Sequence, residues 1–219
     1  MAPPPARLLM SAAPRLRLTP DEYLDWEARQ EDKHEYHRGE VFAMAGGSAT
    51  HARIIGNTYA LLRSAARVRG CEAFTEAMRV RVDAADLYTY PDLSVVCGEP
   101  QFANDREAEL LNPLVLVEVL SPSTEAYDRT TKWDFYAQIG SLTTYVLISQ
   151  SAPRVDVCTR DVDGWRVVRT TGGSALIPAL DTALDLAEVY DGVVFPESES
   201  LLRPESAHPE LGADRSGIV

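Results

Sequence analysis

The chain has 219 residues, and 33 acidic against 21 basic side chains give it a formal net charge of −12. A composition of 45% hydrophobic and 25% charged residues excludes a disordered or fibrous chain and predicts an ordinary globular domain. No apolar stretch approaches the roughly 20 residues of a transmembrane helix, so we expect no membrane partner and a cytoplasmic protein.

The two ends of the chain differ in composition from the middle. Residues 1–18 contain arginine, alanine and proline but no acid, and residues 196–219 contain prolines among serines and glutamates. Such segments bury too little apolar surface to fold. We therefore predict a disordered leader over 1–18, a single domain over 19–195 and a disordered acidic tail over 196–219.

The first elements of the domain have short, specific signals. Thr19 with Glu22 three residues later forms a capping-box pattern, which predicts a helix over 20–31. In the segment 35–44, Gly39 separates two short runs and predicts an N-terminal hairpin.

A long amphipathic helix follows this hairpin. Ser48 or Thr50 is a suitable N-cap, and Gly70 ends the helix after Arg69. The face that we expect to pack on the core contains Ile54, Ile55, Thr58, Leu61 and Leu62.

After Gly70 the side chains take the period of strands. Residues 114–120 form a nearly continuous apolar run, the pattern of a strand that is buried on both faces. The other predicted elements are strands over 78–82, 92–97 and 144–149, a helix over 125–139, a C-terminal hairpin over 154–170 and a short helix over 184–190. This order predicts an α/β fold in which helices flank a mixed central β-sheet.

Three cysteines, Cys71, Cys97 and Cys158, are an odd number without a pair spacing. Cys97 and Cys158 stand in apolar, strand-like runs. We therefore expect buried thiols in a reducing compartment, without a disulfide or a zinc site.

Glu118 conflicts with its surroundings, because it stands in the middle of the run Leu-Val-Leu-Val-Glu-Val-Leu. A buried carboxylate is costly unless it is paired, protonated or bound to a cation. This cost favours a catalytic or metal-binding role over a position at a frayed strand end.

Asp92 begins another predicted strand, directly after Pro91. If its strand neighbours that of Glu118, the two carboxylates lie close enough to share one ion, because adjacent strands are about 4.8 Å apart. Two carboxylates form a hard-oxygen site, which selects Mg²⁺ or Mn²⁺ over zinc.

Lysine is rare in this chain, since 19 of the 21 basic residues are arginine and only Lys33 and Lys132 are lysine. Asp128, Lys132 and Tyr136 are four residues apart and share one face of the helix predicted after Glu118. A surface ion pair of Asp128 and Lys132 would be worth little. The rarity of lysine favours an ammonium beside the two acids, where it can contact a water or a phosphate.

These residues carry a resemblance to a known family. The matching segments are Pro91-Asp92, Glu118-Val119-Leu120-Ser121-Pro122-Ser123-Thr124, the set Asp128, Lys132 and Tyr136, the opening Thr19-Pro20-Asp21-Glu22-Tyr23, the hairpin from Glu35 to Glu40, and His51. Over residues 19–195 the chain resembles the Uma-type family of putative restriction endonucleases, members of the PD-(D/E)XK nuclease superfamily. The resemblance implies a restriction-endonuclease-like fold and Mg²⁺-dependent hydrolysis of phosphodiester bonds in DNA.

The resemblance also implies roles for individual residues. Asp92 and Glu118 would be metal ligands, assisted by the carbonyl of Val119. The superfamily pattern has a lysine two residues after the glutamate, a position that Leu120 occupies in this chain. Lys132 would then supply the amine from the neighbouring helix.

Four further residues belong to the implied site. Glu35 would assist a second metal or act as a base, and His51 would position a phosphate. Asp128 and Tyr136 would be accessory residues beside the lysine. For His51, a local hydrogen bond near a helix N-terminus is an equally good explanation.

The basic charge is concentrated in one part of the chain. Residues 41–81 contain six arginines and two glutamates, whereas residues 82–195 contain 18 acids and seven bases. This basic segment is the candidate DNA-facing surface, and its predicted contacts are Arg53, Arg63, Arg67, Arg79 and Arg81. The alternative is a solvated helix face with scattered arginines.

Other functions stay open at this stage. The chain is alternatively a catalytically inactive, nuclease-like interaction module. Glycoside hydrolysis would use Asp92 and Glu118 as acid and base, but it has no role for Lys132. If the chain cuts duplex DNA, we expect a homodimer, because two strands need two sites.

Overall fold

A computed structural model describes residues 17–44, 46–104 and 108–195. In chain order its strands are β1 (His34–His37), β2 (Glu40–Ala43), β3 (Cys71–Thr75), β4 (Arg79–Val82), β5 (Leu87–Thr89), β6 (Leu93–Cys97), β7 (Glu109–Leu110), β8 (Val115–Leu120), β9 (Thr144–Ser149), β10 (Val155–Asp161), β11 (Gly164–Thr170), β12 (Ser174–Ile177) and β13 (Thr182–Asp185). Its helices are α1 (Pro20–Glu27), α2 (Ala49–Val68), α3 (Glu125–Tyr127), α4 (Trp133–Tyr136) and α5 (Leu186–Val189), with a π-helical turn over Asp128–Lys132 and 3₁₀ turns over Asp83–Ala85 and Pro178–Leu180.

A mixed sheet of six strands positions the site, and the predicted fold class is confirmed. The strand order is β11-β10-β9-β8-β6-β3. β8 and β9 run parallel, whereas β8 pairs with β6 in the antiparallel sense. Every residue of β8 is buried, as its apolar run predicts.

The two faces of β8 meet different parts of the core. Val117 and Val119 belong to the cluster that packs against α2, where Ile54 and Leu62 are fully buried. The alternate residues of β8 face the helical segment 125–136 on the other side. Since successive side chains of a strand point to opposite faces, Glu118 lies on this second side.

A second sheet of five strands, which the sequence did not predict, lies in the order β2-β1-β5-β4-β7. It contains the N-terminal hairpin, whose β1–β2 pairing confirms the prediction around Gly39. β5 and β7 have only three and two residues, too few to show a strand period. Glu35, on β1 of this sheet, reaches Lys132 in the π-helical turn.

The capping signals of the first two helices are confirmed. The Thr19 hydroxyl accepts the Glu22 N–H, and the Glu22 carboxylate accepts the Thr19 N–H. α1 ends at Glu27, earlier than predicted. Ser48 caps α2, and Gly70 follows its end with a positive φ of 67°.

The helix predicted over 125–139 is interrupted. A π-helical turn over Asp128–Lys132 separates the short helices α3 and α4. Such turns are rare, and they occur frequently at functional sites. Asp128 and Lys132 both lie in this turn and are buried.

Two further predictions are corrected towards the C-terminus and at the leader. The C-terminal hairpin forms as β10 and β11, but residues 182–185 are a strand, so the last helix begins only at Leu186. Arg17 and Leu18, assigned to the leader, pair with the N-terminal hairpin, and the Leu18 N–H donates to the Gly39 carbonyl at 3.0 Å. Residues 1–16 and the predicted tail lie outside the described residues.

The prediction that the cysteines form no disulfide is wrong. Cys71 and Cys97 are directly opposite each other on the antiparallel strands β3 and β6, and they form a disulfide with a Cα–Cα distance of 4.1 Å. The 26-residue separation hid this pair, because only strand pairing brings the two together. Cys158 is a buried free thiol, as predicted.

The lengths of the helices bear on the membrane prediction. Among the residues that the structure describes, none of the helices is long and apolar enough to span a membrane.

Candidate active site

Asp92 and Glu118 come together because β6 and β8 are antiparallel neighbours. Leu93 lies opposite Val117, so continuing the register by one residue places Asp92 opposite Glu118. Oδ2 of Asp92 accepts a hydrogen bond from the Val119 N–H at 2.6 Å. The backbone of β8 therefore holds the Asp92 carboxylate beside Glu118.

Lys132 stands among three carboxylates from three different elements. Its Nζ lies 3.0 Å from Oε1 of Glu118, 3.2 Å from Oε1 of Glu35 and 3.7 Å from Oδ1 of Asp128. The Lys132 side chain is 8% exposed. β8, β1 and the π-helical turn thus converge on one buried ammonium group.

Two hydroxyl groups fix the orientation of these acids. The Tyr136 hydroxyl donates to Oε1 of Glu118 at 2.8 Å. The Thr89 hydroxyl, on β5, donates to Oε1 of Glu35 and lies 3.4 Å from the Tyr136 hydroxyl. Both side chains are fully buried, so this network joins the two sheets beneath the site.

His51 contacts Asp92 from the first turn of α2. Its Nε2 lies 3.2 Å from Oδ1 of Asp92, and its backbone N–H donates to the Ser48 hydroxyl. Gly47 permits this arrangement, because a Cβ there would come within 2.8 Å of the imidazole. Burial lowers the pKa of His51, but the hydrogen bond to Asp92 and nearby carboxylates outweigh burial and leave the pKa raised.

Burial and mutual repulsion dominate the electrostatics of the carboxylates. Burial raises the pKa of Glu118 well above its usual value, and Asp128, Asp92 and Glu35 raise it further against the opposing effect of Lys132. The pKa of Asp128 is raised, mainly by burial. Burial lowers the pKa of Lys132, but the surrounding acids outweigh it and raise that pKa well above its usual value. The site therefore favours cations.

The donor set suits a hard divalent cation. The four acids Glu35, Asp92, Glu118 and Asp128 outnumber the single lysine among them, and their oxygens are the ligands that Mg²⁺ and Mn²⁺ prefer. Within the described ranges, no three His, Cys, Asp or Glu side chains already form a cluster that would hold a metal. Lys132 and Tyr136 both bond to Oε1 of Glu118, and these bonds leave Oε2 unused.

Arg79 does not lie on the surface, contrary to the prediction of a DNA contact there. It is 9% exposed. Its guanidinium donates to the Tyr90 hydroxyl at 2.7 and 3.0 Å and to Glu109 at 3.1 Å. Tyr90 in turn donates to Glu27 at 3.0 Å, so Arg79 belongs to a buried structural network.

The other predicted arginines lie on two different elements. Arg53, Arg63 and Arg67 are exposed on α2. Arg81, on β4, is partly exposed and pairs with Asp83. The structure therefore brings three of the five arginines to one helix and does not gather all five on one surface.

Sequence reasoning missed two residues of the site. Thr89 gave no local signal, because its role depends on contacts with β1 and with the helical segment. The ring of Tyr127 lies 5.9 Å from Nζ of Lys132, and burial raises the pKa of its phenol. The five-residue spacing from Tyr127 to Lys132 follows the π-helical turn, which the sequence did not reveal.

Two uncharacterised proteins of the cyanobacterium Synechocystis sp. (strain ATCC 27184 / PCC 6803 / Kazusa) are similar to this chain. One, slr1290, is 35% identical over 188 residues, which cover 84% of this chain and 97% of the relative. The other, sll1609, is 36% identical over 148 residues, which cover 68% of this chain and 84% of the relative.

A solved structure has the same fold. It is a protein of Anabaena variabilis described as a putative nuclease belonging to DUF820, and it matches with a TM-score of 0.67 and 20% identity over 81% of this chain and 99% of that chain. The family model named Uma2, described as "putative restriction endonuclease", matches residues 20–187. This match spans the elements that build the site, and the chain belongs to the Uma2 family.

Proposed function

We propose that this protein is an endonuclease that hydrolyses phosphodiester bonds of DNA and uses Mg²⁺ or Mn²⁺. The observation that carries the proposal is the position of the Lys132 Nζ, 3.0 Å from Oε1 of Glu118. Glu118 lies on β8, and the neighbouring strand β6 brings Asp92 opposite it. Two carboxylates on adjacent strands and one amine match what this hydrolysis requires, namely ligands for a cation and a positive group for the developing charge.

Asp92 and Glu118, with the carbonyl of Val119, would hold the cation. When bound, the ion would make a coordinated water more acidic and withdraw charge from a phosphate oxygen. Glu118 is suited to this role, since its burial leaves the charged carboxylate short of solvation and a cation restores it.

The remaining residues would orient these groups. Lys132 would face the phosphate and stabilise the negative charge that develops on it. Tyr136 holds Glu118, and Glu35 and Asp128 hold the Lys132 amine. His51, expected to position a phosphate, bonds to Asp92 instead, so we assign it to the orientation of that ligand.

The DNA would lie along α2. This helix begins beside Asp92 through His51, and its exposed arginines are Arg53, Arg63 and Arg67. We assign these three to backbone phosphates and leave out the buried Arg79. Cleavage of both strands of a duplex would need a second site, which a homodimer would supply.

One observation favours the alternative of an inactive interaction module. Leu120 occupies the lysine position of the nuclease superfamily, and the amine of Lys132 is engaged by three carboxylates. In that case the buried charges would serve only to hold the two sheets together, and no divalent cation would bind.

Nicking of supercoiled plasmid DNA separates the two functions. We expect cleavage by the wild type with Mg²⁺ or Mn²⁺, no cleavage with EDTA, and a loss of about 10²-fold or more in Asp92→Ala and Lys132→Ala. Lys33→Ala is the matched control, because Lys33 is the other lysine and bonds to the Glu76 carbonyl. No cleavage with any divalent ion, together with no metal binding in calorimetry, would establish the inactive module.

A further inference from the structure

We propose that the ammonium group of Lys132 takes the place of a second metal ion, so that the site binds one divalent cation and not two. This inference rests on the proposed function and deepens it by fixing the number of ions. It also changes the role expected for Glu35, from assisting a second metal to holding the lysine.

The geometry around Lys132 is that of a cation site that is already filled. Three carboxylate oxygens, from Glu35, Glu118 and Asp128, lie between 3.0 and 3.7 Å from the Lys132 Nζ. The side chains of these acids are only 4% to 13% exposed, so little water is available to solvate their charges. Any ion placed among them would have to displace the ammonium.

Asp92 stands apart from this arrangement. Its carboxylate bonds to the Val119 N–H and to His51, and no ion pair joins it to Lys132. Glu118 borders both the lysine and Asp92. Its Oε1 bonds to Lys132, and Asp92 lies opposite it on the neighbouring strand. The site thus has one side filled by an amine and one side with two carboxylates available to an ion.

Charge repulsion makes this division stable. A divalent ion at Asp92 and Glu118 lies beside the ammonium, and a second divalent ion at Glu35 and Asp128 would meet both positive groups in a buried setting. A compact ammonium satisfies the three acids with a single charge. Glu35 and Asp128 are therefore positioning residues for Lys132.

Manganese titration counts the ions without relying on activity. We expect one Mn²⁺ per chain in the wild type by calorimetry, and two in Lys132→Ala, whose smaller side chain vacates the position among the three acids. Electron paramagnetic resonance should show a coupled Mn²⁺ pair in Lys132→Ala only. Lys33→Ala, which removes the other lysine, and Lys132→Arg, which keeps the charge, should each bind one ion.

Glu35→Gln supplies a test that does not depend on the folding of Lys132→Ala. If Glu35 holds the lysine, this variant should bind one Mn²⁺, as the wild type does, with an affinity lowered by the loss of a nearby negative charge. Two ions in the wild type, one ion in folded Lys132→Ala, or a fall from two ions to one on the change Glu35→Gln would overturn the inference.

The outcomes distinguish the inference from the proposed function. If the wild type binds two ions and cleaves DNA, the nuclease function stands and the role of Lys132 as an ion substitute is wrong. If the wild type binds no ion and does not cleave, both are wrong.

Discussion

Oδ1 of Asp92 lies 3.2 Å from Nε2 of His51, while its other oxygen accepts the Val119 N–H at 2.6 Å. Both oxygens are thus oriented by protein groups. Because α2 delivers His51 and β8 delivers Val119, the direction of the Asp92 carboxylate depends on two separate elements.

We expect His51→Ala to weaken Mn²⁺ binding by about 10- to 100-fold, the usual cost of losing a group that orients a metal ligand. Calorimetric titration of Mn²⁺ checks this, and thermal unfolding shows whether the variant is folded. His37→Ala is the control, since the ring of His37 packs on Phe135 and the acids that act on it are Asp86 and Glu40, which are not acids of the site. An unchanged affinity in folded His51→Ala would show that Val119 alone orients Asp92.

Tyr136→Phe removes the hydroxyl that donates to Glu118. We expect a loss of about 1–2 kcal/mol in the free energy of unfolding and a fall of about 10-fold or more in nicking rate, because Glu118 loses a fixed orientation. Tyr190→Phe is the matched control, since its hydroxyl bonds to the backbone of Ser149 and Arg154. Equal effects of both variants on nicking would argue for a purely structural Tyr136.

Reduction of the Cys71–Cys97 disulfide should lower the free energy of unfolding by about 3.5 kcal/mol, the value that loop-closure entropy gives for a separation of 26 residues. Urea denaturation with and without a reductant measures the difference, with Cys71→Ser and Cys97→Ser as independent versions of it. In the denatured, unreduced protein, thiol titration should count one free cysteine, Cys158. A count of three would contradict the disulfide.

Asp156→Asn should destabilise the protein by about 2 kcal/mol at neutral pH, because a buried carboxylate loses charged hydrogen bonds from Arg129 and Arg169. Burial raises the pKa of Asp156, but those hydrogen bonds outweigh it and lower the pKa. Its stabilising effect is therefore complete above the unfolded pKa of about 4 and lost as the pH falls through the lower folded value.

Urea denaturation from pH 7 to pH 3 measures this dependence. The difference between wild type and Asp156→Asn should stay constant above about pH 5 and shrink below about pH 4. Asp134→Asn, at an exposed position, is the control and should change stability little at any pH. A difference that grows on acidification would contradict the assignment.

Local sequence patterns predicted the central strand and the helix face that contribute side chains to the site. The apolar run placed Glu118 in a buried strand, and the four-residue spacing put Asp128, Lys132 and Tyr136 on one side. The turn there is π-helical, but Lys132 and Tyr136 still bond to Glu118, and Asp128 lies beside Lys132. The prediction held because all three residues belong to one continuous helical segment, so their spacing alone places them on the same side.

Other features had no local signal. Thr89 reaches Glu35 only because β1 and β5 belong to a second sheet, and Arg79 is buried only because Tyr90 and Glu109 surround it. An arginine in an alternating strand has the same pattern whether it faces water or a buried partner. Burial of this kind depends on elements distant in the chain.

The sequence by itself determined that a carboxylate stands in a buried strand and that one of two lysines follows it on a helix, because both properties depend on neighbours within a few residues. Only the tertiary structure decided which acids surround that lysine and that Cys71 meets Cys97. The physical reason is that strand pairing joins residues far apart in the chain, and the register of a pair is selected by packing over the whole sheet.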